Sequence, residues 1–276
     1  MNLVVQGAAL ERVEIEDLVA LVRPDSLQRI DARAARLCGA HPHDGVARFC
    51  AQHQLDHAWI PAGRRFADLK LLAMDMDSTL ITIECIDEIG GMFGMKEQIA
   101  TVTAAAMRGE IDFPESLRQR VALLAGLDES ALGRVYDEKL RLSPGAETLL
   151  AACKRHGVKT LLVSGGFRFF TERLKQRLGL DETLSNTLDI ADGKLTGRVL
   201  GDIVDAEAKA RRFRELAAEL GAAREHTVAI GDGANDLAMM AEAGMSIAYH
   251  AKPVVRAKAS CALNHCGLDG VLNLFE

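Results

Sequence analysis

No stretch of this 276-residue sequence approaches the ~18–20 consecutive apolar residues that a membrane helix needs, so a membrane is not expected as a partner. A secretory leader is not expected either. The opening MNLVVQGAALERVEIEDL meets acidic residues where a leader carries its apolar core and cleavage site, and a cytoplasmic protein is expected. There is no basic excess: 33 Lys and Arg face 39 Asp and Glu, a formal charge of −6, and no stripe of the duplex-binding kind. The short cluster Lys209, Arg211, Arg212 and Arg214 lies among alanines and glutamates at helical spacing and reads as a solvated helix face. Nucleic acid is therefore not expected as a partner.

The six cysteines, at positions 38, 50, 85, 153, 261 and 266, form no CxxC pair and no disulfide framework. Neither Cys261, His265 and Cys266 nor Cys50, His53 and His57 has structural-zinc spacing, so reduced thiols are expected. Low-complexity linkers and repeats are also lacking. What is present is a chain 49% apolar, which excludes extensive disorder and suffices for a substantial core.

Three regions differ in texture. Residues 1–68 are short and irregular, with a strand expected at Leu3–Val5, helical stretches at Ala32–Leu37 and Gly45–Gln54, and a strand around Trp59. They read as a small α+β appendage. From Leu71 onward, LLAMDMDST, VKTLLVSGG and HTVAIGDG each read as a buried strand running into a loop, and MSIAYH as a further strand. Helical patterns follow at Phe169–Leu178 and Asp236–Ala243. This alternation predicts an α/β fold, a doubly wound parallel sheet covered on both faces.

Between the first two strands lie about 80 residues, far more than an ordinary crossover needs. Ile86, Ile89 and Phe93 have helical spacing, as do Leu117, Val121 and Leu124, and Asp112 before Pro114 and Glu115 marks a helix start. Ser143-Pro144-Gly145 marks a break. A helical cap inserted after the first core strand, at about 84–150, is expected within a larger domain spanning 69–276. TLDIADGKLTGRV alternates around Asp192-Gly193 and reads as a hairpin.

In an open parallel sheet, ligands bind beyond the carboxyl ends of the strands. The residues expected there are Asp75, Asp77, Ser78 and Thr79, then Ser164, Gly165 and Gly166, then Asp232, Gly233, Asn235 and Asp236. Four aspartates at one sheet end would repel without a cation, and oxygen-only donors suit Mg2+. Ser164 and the glycine amides after it can cradle phosphate oxygens, and Lys209 can neutralise remaining charge.

DMDST at 75–79, Ser164 after VKTLLV, Lys209 and GDGAND at 231–236 resemble the four motifs of haloacid-dehalogenase-type phosphatases. DMDSTLITIECIDEIGG, MRGEIDFPESLRQRV, SGGF, DGKLTGRVLGDIVDAEAKA and AIGDGANDLAMM narrow the resemblance to the bacterial phosphoserine phosphatase family, over about residues 70–270. The resemblance implies Mg2+-dependent hydrolysis of O-phospho-L-serine through an aspartyl-phosphate, the last step of L-serine biosynthesis. It implies Asp75 as nucleophile and Asp77 as general acid and base. It also implies a metal held by Asp75, the Asp77 carbonyl and Asp232, with Asp236 behind, and a phosphoryl group held by Ser164 and Lys209. Glu84 and Arg120 map onto the positions that bind the ammonium and carboxylate. Met107 and Phe113 map onto an apolar wall, completed by the Gly165 amide and Asn235.

Three rivals stay open: action on another phosphorylated amino acid, phosphoryl transfer to homoserine, and a non-catalytic amino-acid sensor. Residues 1–68 are expected to serve packing or dimerisation, which leaves a homodimer open.

Overall fold

The apolar runs become strands because each is bounded by polar or glycine-bearing turns. In the computed structural model, which describes residues 1–276, there are eleven strands. They are β1 (Asn2–Gln6), β2 (Ser26–Arg29), β3 (Ala34–Cys38), β4 (Asp56–Ile60), β5 (Leu71–Asp75), β6 (Lys159–Phe167), β7 (Glu182–Ala191), β8 (Lys194–Leu200), β9 (Thr227–Gly231), β10 (Met245–Tyr249) and β11 (Cys261–Leu263). No helix is long and apolar enough to cross a membrane.

The larger sheet has the order β11-β10-β9-β5-β6-β7-β8. Strands β5, β9 and β10 are buried at every residue, as strands covered on both faces must be. All neighbours run parallel except β7 and β8, so the expected parallel sheet is mixed at that edge. The β7–β8 hairpin turns through Asp192 (φ 50°) and Gly193 (φ 73°), the left-handed pair a type I′ turn requires. From β5 the chain goes to β6 on one side and only later to β9 on the other. The order therefore reverses at β5, and a crevice opens at the carboxyl ends of β5, β6 and β9.

The insertion after β5 is helical: Cys85–Met92, Lys96–Met107, Phe113–Ala122 and Ser130–Arg134. Asp112 accepts a hydrogen bond from the Glu115 N–H (2.8 Å) and Pro114 occupies the first turn, so the third helix starts where the sequence places it. Ile86, Ile89, Leu117, Val121 and Leu124 point into the main core. Two connecting segments join the insertion to the sheet. They are held together by the Thr82 N–H on the Arg141 carbonyl (3.0 Å) and the Ser143 N–H on the Leu80 carbonyl (2.9 Å).

The N-terminal sheet has the antiparallel order β2-β3-β1-β4. Alternation along β1 turns Leu3 and Val5 toward the helices Arg12–Val22 and Gly45–Gln52, and Val4 toward the main core. The helix expected over Ala32–Leu37 is instead strand β3. Ala, Arg and Leu favour helix locally, but pairing with both β1 and β2 satisfies the backbone, and the period of two buries Ala35 and Leu37 on the helix-covered face. The exposed strand β2 carries no apolar alternation that would announce it.

Polar locks tie this sheet to the C-terminal segment. Asp56, 3% exposed, accepts the backbone N–H groups of Asn264 (2.7 Å), His265 (2.9 Å) and Cys266 (3.0 Å). Buried Arg36 donates to the Asn273 and Phe275 carbonyls. Charge-assisted bonds of this kind are worth more than neutral ones, and removing the acceptor strands its donors. Asp56→Ala should therefore cost about 2–4 kcal/mol in denaturant unfolding, against under about 0.5 kcal/mol for Glu16→Ala, whose ion pair with Arg12 is exposed. Equal costs for the two variants would refute the lock.

Candidate active site

Three strand ends and one helix build the site. Asp75 closes β5 and is buried. The turn over Met76–Leu80 then bends through an extended Asp77 (φ −66°, ψ 134°) and a left-handed Ser78 (φ 56°). That bend brings Asp77 within reach of the Cys85 N–H, which donates to Oδ1 (3.0 Å), and of the Ser164 hydroxyl, which donates to Oδ2 (3.4 Å). The pairing of β6 with β7 shifts register between Val163 and Phe167, and the Gly166 N–H turns back onto the Ser164 hydroxyl (2.8 Å). A β-carbon on Gly166 would lie 2.6 Å from Asp77 Oδ2, so only glycine admits this approach.

Lys209 leaves the solvated face on which its neighbours Arg211 and Arg214 remain. On the helix Ala206–Glu219 it shares the buried stripe with Phe213 and Leu216, which pack under Leu71 and Ala73 of the sheet. This packing aims the ammonium, 1% exposed, at Asp75 Oδ1 (2.5 Å) and Asp236 Oδ1 (2.8 Å). The other oxygen of Asp236 accepts the Gly233 N–H (3.0 Å). The carboxylate oxygens of Asp75, Asp232 and Asp236 all lie within 4.8 Å of one another, an oxygen-only cluster able to hold a metal ion. The Asp77 carboxylate is outside that triplet.

One lysine cannot satisfy this much negative charge. Burial, reinforced by Asp236 and Asp77, pushes the Asp75 carboxyl well above its usual range despite the lysine. Burial also opposes the Lys209 charge, but Asp236 and Asp75 outweigh it and hold the ammonium above its ordinary value. Burial and then the Glu84 charge push Asp77 up to about 7. Asp232 rises to about 6 through burial, Asp236 and Glu84.

In front of these groups lies a cavity of about 490 Å³. Asp75, Asp77, Asp232, Gly165 and Asn235 line it from the sheet side; Glu84, Met107, Phe113 and Arg120 line it from the inserted helices. Ser164, Lys209 and Asp236 stand behind its wall. Glu84 accepts a hydrogen bond from the Ser78 hydroxyl (2.8 Å), and burial raises its carboxyl. Arg120 is half-buried and forms no ion pair, its Nε donating only to the Ser116 carbonyl (3.3 Å). Phe113 lies across Gly165, where a β-carbon would sit 2.8 Å from the ring tip. Met107 reaches the cavity but is 72% exposed, so it stands at the mouth.

The lining residues that the sequence did not single out include Asp87, Thr103 and Lys252. Asp87, one helical turn beyond Glu84, was detectable from that spacing. Thr103 and Lys252 carried no such signal. All six cysteines are free and none joins the metal-capable cluster.

Carboxylates at the carboxyl ends of parallel strands, with a helical insertion roofing them, define a haloacid dehalogenase-like hydrolase. That family matches residues 72–241, and a domain family of unknown function matches residues 3–46. The phosphoserine phosphatase of Polaromonas sp. is 54% identical over 217 residues, 77% of this chain and 92% of that one. The crystal structure of a probable phosphoserine phosphatase from Vibrio cholerae superposes with a TM-score of 0.85 at 40% identity, covering 99% of this chain and 85% of the other. A haloacid dehalogenase family hydrolase from Salmonella enterica superposes at 0.90 with 35% identity over 100% and 98%. The chain belongs to the phosphoserine phosphatase family of these hydrolases.

The tightness around Gly166 is testable. Gly166→Ala must displace Asp77 or Ser164 by several tenths of an ångström, and because a misplacement of about 1 Å can cost about 100-fold in turnover, a loss of about 10- to 100-fold follows. We expect that loss in kcat with unchanged circular dichroism. Wild-type turnover in the variant would show that the close approach has no catalytic weight.

Proposed function

We propose that the chain hydrolyses O-phospho-L-serine to L-serine and phosphate. One observation carries this: a single cavity joins the Asp75–Asp77 pair to a half-buried, unpaired Arg120 beside Glu84. The first pair suits a phosphoryl group and the second a zwitterionic amino acid, and the names of the relatives agree. We further propose the division into 1–68 and 69–276 with the cap at about 84–150. The substrate is then a small molecule, and the reaction is the L-serine-forming step of a cytoplasmic pathway.

Lys209 occupies Asp75 Oδ1, which leaves Oδ2 to attack phosphorus. As the Asp75–phosphorus bond forms, the bond from phosphorus to the serine oxygen breaks, and Asp77 gives that oxygen its proton. Its elevated pKa lets Asp77 hold a proton near neutrality. Asp77 then takes a proton from water as the water attacks phosphorus, releasing Asp75. Ser164 and the Gly165 and Gly166 amides border the phosphoryl position, and Lys209 offsets the charge developing there. Glu84 receives the substrate ammonium. Arg120 receives the carboxylate, for which its planar fork is suited. Phe113 and Met107 cover the methylene, with Asn235 completing the pocket.

The clustered, all-oxygen donors and their raised pKa values fit a hard divalent cation. Asp75, Asp232 and the Asp77 carbonyl would hold Mg2+, with Asp236 behind. When bound, the ion supplies neutralisation of phosphoryl charge.

Substrate choice tests this function. A guanidinium that bound substrate closes off from water but leaves without its carboxylate partner is costly, so phosphoserine should exceed phosphoethanolamine by ~10³–10⁴ in kcat/KM. Arg120→Lys should narrow that preference by weakening phosphoserine. Equal use of both compounds by the wild type would dismiss the proposed substrate. An unchanged preference in the variant would dismiss only the role of Arg120.

The carboxylate cluster makes a second prediction. Asp77 and Asp232 hold protons when folded that they release when unfolded. Their contribution to stability is complete below about pH 4 and is lost as pH rises through about 6 to 7. The rise in Tm on adding Mg2+ to chelator-treated protein should therefore be larger at about pH 8 than at about pH 5. A pH-independent increment would contradict metal binding at these carboxylates.

A further inference from the structure

The cavity contains a cation that the mechanism leaves without a task. Lys252 follows β10, and its side chain lines the cavity with Glu84 and Asp232. Its own N–H donates to the Asp232 carbonyl (3.3 Å), which fixes the lysine's backbone against the loop carrying that carboxylate. The side chain is exposed and forms no ion pair. Its field nonetheless reaches both acids, drawing the carboxyls of Glu84 and Asp232 downward against burial.

The charge balance of the cavity gives this position weight. Five carboxylates line it, those of Asp75, Asp77, Glu84, Asp87 and Asp232, against two cations, Arg120 and Lys252. Lys209 is buried behind the wall and already shared between two aspartates. A phosphate monoester is an anion and must approach this wall from solvent. Arg120 belongs to the inserted helices, so Lys252 is the one cavity-lining cation mounted on the sheet side, where the phosphoryl chemistry is placed. A lysine, a compact and mobile point charge, suits attraction at a distance more than fixed bidentate grip.

We propose that Lys252 recruits the phosphate group of the substrate, drawing the anion past the acidic wall and governing capture rather than the chemical step. This rests on the phosphate-ester function proposed above. An exposed charge acting on an incoming anion works through long-range attraction, which salt screens.

The test compares wild type, Lys252→Gln and Lys252→Arg on phosphoserine and on p-nitrophenyl phosphate, across ionic strength and at fixed Mg2+. We expect Lys252→Gln to lower kcat/KM by about tenfold at low salt, through KM, with kcat within about twofold. The deficit should shrink at high salt, and Lys252→Arg should recover most of the loss. Both substrates should respond, because both carry the phosphate. Unchanged kcat/KM and salt dependence in Lys252→Gln would overturn the proposal. So would a loss confined to kcat, or a loss seen with phosphoserine alone, which would assign Lys252 to the amino-acid end. If the wild type ignored phosphoserine while p-nitrophenyl phosphate still showed the lysine-dependent salt slope, the substrate proposed above would fall and recruitment would stand.

Discussion

The buried contact of Lys209 with Asp75 and Asp236 is what the rest of this molecule is arranged around. Taking an ammonium out of water costs several kcal/mol, and an unpaired carboxylate in the same place costs as much. Neither can be buried alone. Three elements therefore have to meet: β5 for Asp75, the helix Ala206–Glu219 for Lys209, and the turn after β9 for Asp236. Once they meet, the sheet order has to place β5 beside β9 and the helix against β5, as the packing of Phe213 on Leu71 and Ala73 does. The contact still leaves a surplus of negative charge, seen in the raised carboxyls of Asp75, Asp77 and Asp232. That surplus is a cost to folding, and it is also what makes the crevice a place for a cation and a phosphoryl group. Strain of this sort is tolerated at functional sites because the surrounding structure over-determines it.

The place of the candidate-site carboxylates was legible in the sequence because parallel strands read as unbroken apolar runs. An Asp directly after such a run can only lie at the carboxyl end of the sheet. The hairpin at Asp192-Gly193 and the helix start at Asp112 were legible for a comparable reason: each depends on local chemistry, a left-handed turn or a capping side chain. Lys209 was ambiguous. Its neighbours are charged and exposed, and only its spacing to Phe213 and Leu216 sets it on the buried side.

Strand β3 and the Asp56 lock were not legible, because tertiary partners decide them. The backbone donors to Asp56 lie more than 200 residues further along, with separations of 208, 209 and 210. No window of sequence contains both halves of that interaction. The composition of β3 pulls toward helix until pairing on both sides overrides it. Lys252 belongs to the same class, since its significance arises only when the turn after β10 is laid beside the carboxylates of two other segments.

The residues proposed for chemistry and those proposed for recognition sit on different parts of the chain. Asp75, Asp77, Asp232 and Asp236 hang from a sheet whose central strands are buried at every residue, so their mutual geometry is fixed by packing that is indifferent to substrate. Glu84, Met107, Phe113 and Arg120 come from helices joined to that sheet by two short connecting segments. Fold likeness therefore bears on the phosphoryl chemistry, whereas the proposed choice of phosphorylated compound rests on a handful of side chains in the insertion. Among these, an arginine that faces Asp87 and Glu84 across the cavity without closing an ion pair to either is the most informative, since a half-buried cation without a bonded partner is held at a cost that a ligand can remove. The same logic places a recruiting cation on the sheet side, where every substrate of this chemistry brings the same phosphate, and a discriminating cation on the inserted helices, where substrates differ.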